Sequence, residues 1–191
     1  MCEITLKKFI IKIPKTVSIF FCNNNILVIK GNCCTKAIKL KTKIKIFIKK
    51  KLIMITPLLL KKYKIKKLKF FYNAYLVQIK QTLKETIKKQ KKKLNIIGTG
   101  YKVIVLTTTL LLPFTILQLK LGYSHFIYIK IPKDLKVICP KPNKIFLYGN
   151  YQQKINFIAF LIKSYKIPEP YKAKGIFCFN EQIKLKKGKK L

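Results

Sequence analysis

The order of apolar and polar positions divides the chain into two runs of short β-like segments, each closed by one helix-like segment. Residues 10–14 and 17–22 are β-branched and apolar, and Asn23, Asn24 and Asn25 form a turn cluster. The segment I-L-V-I-K-G then returns as a second strand ended by Gly31, which makes a hairpin. From residue 36 to 50 the pattern alternates almost strictly, with Ile38, Leu40, Ile44, Ile46 and Ile48 on one face and Lys39, Lys41, Lys43 and Lys45 on the other. Successive strand side chains point to opposite faces, so one side is core and one is wet. A lysine row of this kind is a solvated face that discourages edge pairing before it is a binding surface.

After L-I-M-I-T-P the period changes. Leu68, Tyr72, Tyr75, Leu76, Ile79, Leu83 and Ile87 recur at three and four positions, which predicts an amphipathic helix over about residues 62–90. The run K-K-Q-K-K-K over 88–93 is too charged to bury and predicts a junction, dividing the chain into domains 1–90 and 91–191. The second half repeats the plan, with strands over 94–106, 110–121, 126–131, 135–139 and 144–148, followed by a helix. Asn150 can cap that helix with Gln153 three residues on, as in a capping box, and Ile155, Ile158, Ala159 and Ile162 form its buried stripe. The predicted fold is α+β, with two similar domains produced by internal duplication. Each has small antiparallel or mixed β-sheets and one helix around a core.

Composition narrows what such a scaffold serves. Half of the 191 residues are hydrophobic, enough for one domain or two small ones with real cores. Against 43 Lys plus Arg stand only 5 Asp plus Glu, a formal net charge of +38 distributed along the whole chain. A compact chain with that charge repels itself and is expected to fold or persist against a polyanion. Every cation is lysine, and arginine and tryptophan are absent. Lysine is a point charge without the bidentate fork of arginine, so it suits a phosphate backbone better than base edges. The abundance of Lys, Ile, Asn, Phe and Tyr is also what an AT-rich genome writes, which hints at an organelle-encoded gene.

Several chemistries find little material. The six cysteines, at 2, 22, 33, 34, 139 and 178, include no C-x-x-C pair, and His125 is the one histidine, so no metal site and no redox motif are expected. The thiols read as buried or incidental in a reducing compartment. Five carboxylates supply no pair for metal or acid–base work, and neither an enzymatic activity nor a cofactor nor a small-molecule substrate is expected. Gly98 and Gly100 in G-T-G-Y-K lack the third glycine of a dinucleotide loop and precede a strand; they read as a tight turn or bulge that presents Tyr101 and Lys102. Ser124 beside His125 in G-Y-S-H does not make a nucleophile and base, because strand neighbours point to opposite faces. Residues 103–119 are free of charge, about the lower limit for a spanning helix. A basic membrane-associated or interaction protein anchored there is the alternative reading. The alternation of Leu117, Leu119 and Leu121 with Ile116, Gln118 and Lys120 favours a β-hairpin and no membrane insertion. The N-terminus, with Glu3 and no arginine, resembles neither a secretory signal nor a transit peptide.

The stretch K-S-Y-K-I-P-E-P-Y-K-A-K-G-I, residues 163–176, is stiff and extended, because Pro168 and Pro170 restrict themselves and the residues before them. Lys163 opens it, and Lys166, Lys172 and Lys174 surround Tyr171 before Gly175, where a backbone can be approached closely. That mixture suits phosphate and sugar contacts, and it equally suits a proline-braced surface loop. Downstream, Lys187, Lys189 and Lys190 continue the positive charge.

P-E-P-Y-K-A-K-G-I, with Glu181 and the terminal K-K-G-K-K, resembles the C-terminal signature of the universal large-subunit ribosomal protein L-six family. L-N-I-I-G-T-G-Y-K and L-G-Y-S-H resemble two further motifs of that family, in the family's order. Ala173 and Phe177 stand where the family usually has glycine and arginine, and Phe126 where it usually has proline. The resemblance implies two similar α+β domains and a structural, non-catalytic role in a large ribosomal subunit. It further implies contact with large-subunit ribosomal RNA near the sarcin–ricin region and the base of the factor-binding stalk. Neighbouring large-subunit proteins and translation factors would lie nearby. The RNA-binding residues it implies are Lys163, Lys166, Tyr171, Lys172, Lys174 and Gly175, with Tyr101, Lys102, Tyr123 and His125, and Lys187, Lys189 and Lys190 of the tail. The expected location is the mitochondrial ribosome, with a plastid-type organelle as second choice.

Overall fold

In the first half the alternating segments pair into two small antiparallel sheets. The computed structural model describes residues 9–22, 25–40, 44–49, 52–57, 65–107 and 114–187. By internal contacts the chain divides into two units, Met1–Lys88 and Lys89–Leu191.

The first unit contains strands β1 (Phe9–Lys12), β2 (Ser18–Cys22), β3 (Ile26–Lys30), β4 (Thr35–Lys39), β5 (Ile44–Lys49) and β6 (Leu52–Pro57), and helix α1 (Ile65–Ile87). One sheet has the order β1-β6-β5 and the other β2-β3-β4. The expected hairpin is β2 with β3, and Asn25 takes a left-handed φ of 54° after the turn. The alternation over 36–50 is not one strand, because β4 pairs with β3 and β5 with β6 in separate sheets. Alternation reports which face is apolar and does not report which neighbour a strand joins. Lys41 and Lys43 lie outside the described residues. Leu76, Ile79 and Leu83 of α1 close the core over Leu27, Ile29, Ile38 and Ile53, as their spacing predicts. Within it Lys36 and Glu85 are 7% and 5% exposed and form an ion pair, and Gln81 donates to the same carboxylate at 3.0 Å.

The helix ends at Ile87 rather than near residue 90, and the run over 88–93, expected as a junction too charged to bury, holds the boundary between the units at Lys88 and Lys89 and continues as strand. Gln90 already begins β7 (Gln90–Ile97), a central strand of the second unit. Lysine is tolerated there because the first half of β7 is paired on one edge only. Long lysine stems cover apolar surface while their heads reach water, and Lys93 carries its ammonium over the Phe146 and Phe179 rings at 5.2 and 4.7 Å.

The second unit continues with β8 (Lys102–Thr107), β9 (Thr115–Lys120), β10 (Ile127–Ile131), β11 (Leu135–Lys141), β12 (Lys144–Gly149), helix α2 (Gln152–Ser164) and β13 (Gly175–Cys178). Its sheets have the orders β10-β9-β8 and β11-β12-β7-β13. Strand for strand, β7 to β12 and α2 repeat the connectivity of β1 to β6 and α1, and β13 is the one addition. Both units are thus the same α+β plan. The expected strand over 94–106 is broken at Gly98–Gly100, where Gly100 has φ +74°, and its two parts enter different sheets. Leu117, Leu119 and Leu121 are buried on the β9 face, so the charge-free segment contributes strands β8 and β9 to the core. Among the described residues no helix is long and apolar enough to cross a membrane.

Two details depart from expectation. Tyr151, not Asn150, occupies the N-cap of α2, with no side-chain hydrogen bond there, and the stripe of Ile155, Ile158, Ala159 and Ile162 anchors the helix instead. Residues 163–176, expected as one stiff extended stretch, begin inside α2 at Lys163 and Ser164, reverse between Glu169 and Lys174, and end in β13, whose residues 175–178 pair with Leu94–Ile97 and bury Ile176 fully. Each fully buried Ile or Leu of this kind contributes about 1.5–3 kcal/mol.

Candidate nucleic-acid interface

Three loops of the second unit meet at the end of β7. The first is the turn 98–101, closed by the Tyr101 N–H donating to the Gly98 carbonyl at 3.4 Å. Two glycines are required there for space. A Cβ on Gly98 would lie 2.4 Å from the Tyr101 ring, and one on Gly122, itself at φ +77°, would lie 3.0 Å from it. Tyr101 is therefore wedged between the first loop and the second, 122–126, and is partly buried against the core. The expectation that the turn presents Tyr101 outward is corrected on this point, because the ring is a spacer between loops. Lys102 is exposed, paired across the strands with Lys120.

In the second loop Tyr123 and His125 stack at 6.0 Å with rings inclined by 22°. The Tyr123 hydroxyl donates to the Tyr165 carbonyl at 2.9 Å, and the Lys166 ammonium lies 4.6 Å from the Tyr123 ring. These contacts tie the second loop to the third, 165–174, which leaves α2. There the Glu169 N–H donates to the Lys174 carbonyl at 2.9 Å and the Ala173 N–H to the Glu169 carbonyl at 3.0 Å. The chain reverses within these bonds, with Ala173 at a left-handed φ of 54°. The Ile176 N–H donates to the Lys166 carbonyl, and the Lys186 N–H returns from the tail to the Pro170 carbonyl, both at 3.0 Å. The Lys174 ammonium reaches Thr99 Oγ1 at 3.4 Å, joining the third loop to the first.

Each expected residue within the described chain finds a definite place. Lys172 is exposed and Tyr171 is 54% exposed, so both are available to a partner. Lys166 and Lys174 are half-buried and brace the loops, each keeping its charge at the surface. Tyr123, His125 and Lys187 are exposed. Lys163 pairs with Glu181, which also accepts the Cys178 N–H at 3.2 Å. The Lys163 contact and then that N–H hold the Glu181 carboxyl below its ordinary range. Lys163 thus positions the turn after β13. Gly175 is buried, and a Cβ there would lie 2.6 Å from Pro168 Cα at φ +145°. The close approach that its glycine permits is made by its own chain, which presses the loop onto the sheet. Lys189 and Lys190 lie outside the described residues. Thr99 and Tyr165, which join the loops, were not singled out by sequence reasoning; Tyr165 sits inside the motif, but a carbonyl acceptor leaves no mark in a sequence.

The second unit holds three carboxylates, and Asp134 and Glu181 are paired with Lys154 and Lys163. The third, Glu169, lies in the 165–174 loop beside Lys166, Lys172 and Lys174, so the convergent loops stay net positive next to tyrosine and imidazole rings, an arrangement that suits phosphates and sugars. Among the described residues no three His, Cys, Asp or Glu side chains gather to hold a metal ion. Burial pushes the Cys139 thiol up to about 11, which keeps it protonated and unreactive.

A duplicated α+β scaffold that joins the lysine-bearing loop 165–174 to two aromatic loops has the make-up of a structural protein. The family model for ribosomal protein L6 matches residues 97–177, the span that holds all three loops. The chain is 35% identical over 182 residues to large ribosomal subunit protein uL6 of Mycoplasmoides gallisepticum, covering 94% of this chain and 93% of that one. It is 31% identical over 162 residues to the protein of the same name in Afipia carboxidovorans, covering 85% of each. With that of Rhodospirillum rubrum it shares 42% identity over 99 residues, 52% of each chain. The chain belongs to the ribosomal protein L6 family, which is structural and not enzymatic.

Proposed function

We propose that this protein is a structural constituent of a large ribosomal subunit and holds ribosomal RNA through its second unit. The observation that carries the reading is the convergence of the three motif loops, with Lys172 and Tyr171 exposed at their rim and Lys166 and Lys174 bracing them. On this reading the second unit sits on RNA near the sarcin–ricin region and the base of the factor-binding stalk, beside other large-subunit proteins and within reach of translation factors. The ribosome is proposed to be mitochondrial. An all-lysine, AT-rich composition and bacterial relatives are the support for that location.

Binding to a large-subunit RNA fragment is tested over a range of salt. Replacing Lys172 and Lys174 by alanine should flatten the salt dependence by about two phosphate contacts. An unchanged slope would remove the loop lysines from the interface. Co-sedimentation with large subunits after detergent-free, high-salt lysis tests the assembly itself, and recovery in carbonate-washed membranes without ribosomal RNA would overturn the reading.

A further inference from the structure

A second basic recess lies at the other end of β7. Strand β12 pairs with β7 from Gln90 to Asn95, but β13 pairs only with Leu94–Ile97 and then turns away at Phe179 and Asn180. The departure opens a cleft of about 600 Å³ lined by Lys91, Lys92, Lys93, Phe179, Asn180 and Glu181. The Phe179 N–H donates to the Lys93 carbonyl at 3.2 Å, and strand alternation turns the main-chain N–H and carbonyl of Lys91 toward the same side. The lining sets three lysines against one carboxylate, with Lys91 and Lys93 on one face of β7 and Lys92 on the other side of the strand edge, and Glu181 is already paired with Lys163. Phe179 is 61% exposed, with the Lys93 ammonium 4.7 Å from its ring.

We propose that this cleft is a second RNA-contact site, in which Lys91 and Lys92 hold the phosphates of a single-stranded stretch and Phe179 stacks one unpaired base. The inference rests on the RNA-binding reading above. A protruding phenyl ring beside lysines adds nothing to a duplex, whose bases are already stacked, whereas an unpaired base offers it a flat face. The chain's own C-terminal K-K-G-K-K run has the same charge as the lining and is a poor occupant. The cleft is separate from the motif loops, since Lys92 and Ile97 lie roughly 17 Å apart along the strand.

The test uses the full chain with short oligoadenylate, large-subunit RNA and polyglutamate as probes. Phe179→Ala should weaken oligoadenylate binding about tenfold with no change in salt slope. The pair Lys91→Ala and Lys92→Ala should lower that slope by about 1.4. A 4-thiouridine oligomer should crosslink to the peptide 178–183 of the wild type, a readout independent of the variants' folding. Wild-type oligoadenylate binding by both cleft variants, with large-subunit RNA binding lost only in the Lys172→Ala, Lys174→Ala protein, would overturn the cleft while leaving the functional reading in place. If the wild type binds neither RNA, the functional reading falls and the cleft with it. Equal weakening of polyglutamate by Phe179→Ala would make the cleft a site for acidic peptide and overturn the proposal.

Discussion

The two units share one strand order and part ways after the helix. The first ends one residue past α1, whereas in the second the chain reverses through the 165–174 loop and returns to the sheet as β13. Every interface residue singled out by motif belongs to the second unit. The cores differ as well. The first buries the Lys36–Glu85 pair, and the second buries an apolar set in which Leu94, Leu117, Leu119, Ile145, Leu147 and Ile176 are fully enclosed. A duplicated scaffold supplies stability twice; the added strand and its loop are where the second copy gained a surface aimed outward.

The largest effect that bears on this comparison concerns the polar core of the first unit. Glu85→Ala leaves the buried Lys36 ammonium without its carboxylate and should destabilise the first unit by about 3–5 kcal/mol. Segment-resolved hydrogen exchange would show residues 25–40 and 65–87 opening while 89–187 stay protected. Equal loss of protection in both halves would mean that the units fold as one. Lys36→Met with Glu85→Leu, which removes both charges, should recover most of the loss.

Gly175→Ala attacks the added strand. A Cβ against Pro168 at a φ near the glycine-only region should cost about 1–3 kcal/mol from conformation alone and loosen the loop from the sheet. Weakened RNA binding together with a lowered unfolding midpoint is expected, and wild-type values for both would mean the loop does not depend on β13.

Ala173→Gly works in the opposite direction. Ala173 is held at φ 54°, where an L side chain is strained by about 1–2 kcal/mol. Glycine should raise the denaturant midpoint of the second unit, and no rise would place the strain elsewhere.

The smallest effect is a pH response. The Glu181 carboxyl titrates below its ordinary value of 4.5 when folded, so its pairing with Lys163 stabilises the second unit above that pH and is lost as the pH falls below it. The contribution of so accessible a pair is below about 1 kcal/mol. Glu181→Gln should erase this part of the acid sensitivity in the second unit and leave that of the first unchanged, as measured by unfolding at pH 3 to 7.

Much of this was legible in the residues themselves. β-Branched apolar runs on either side of the asparagine cluster 23–25 placed the β2–β3 hairpin, period-two alternation placed the buried leucines of β9, and spacing at three and four placed the stripes of α1 and α2, because these signals are local and each residue carries its own. The three motifs lay in the primary structure, and so did the repetition of strands followed by a helix. What needed the tertiary structure was partner choice. Lys91, Lys92 and Lys93 read as part of a junction too charged to bury until β12 was seen to pair with them. Gly175 and Ile176 looked like the end of a stiff extended stretch until β7 offered them an edge. Gly175 looked open to a ligand until Pro168 filled the space beside it. Charge, period and stiffness are properties of a segment, and the sequence alone determined them. Which edge a strand joins, and which neighbour occupies the space beside a glycine, depend on contacts between residues far apart in the chain, and those only the folded structure decided.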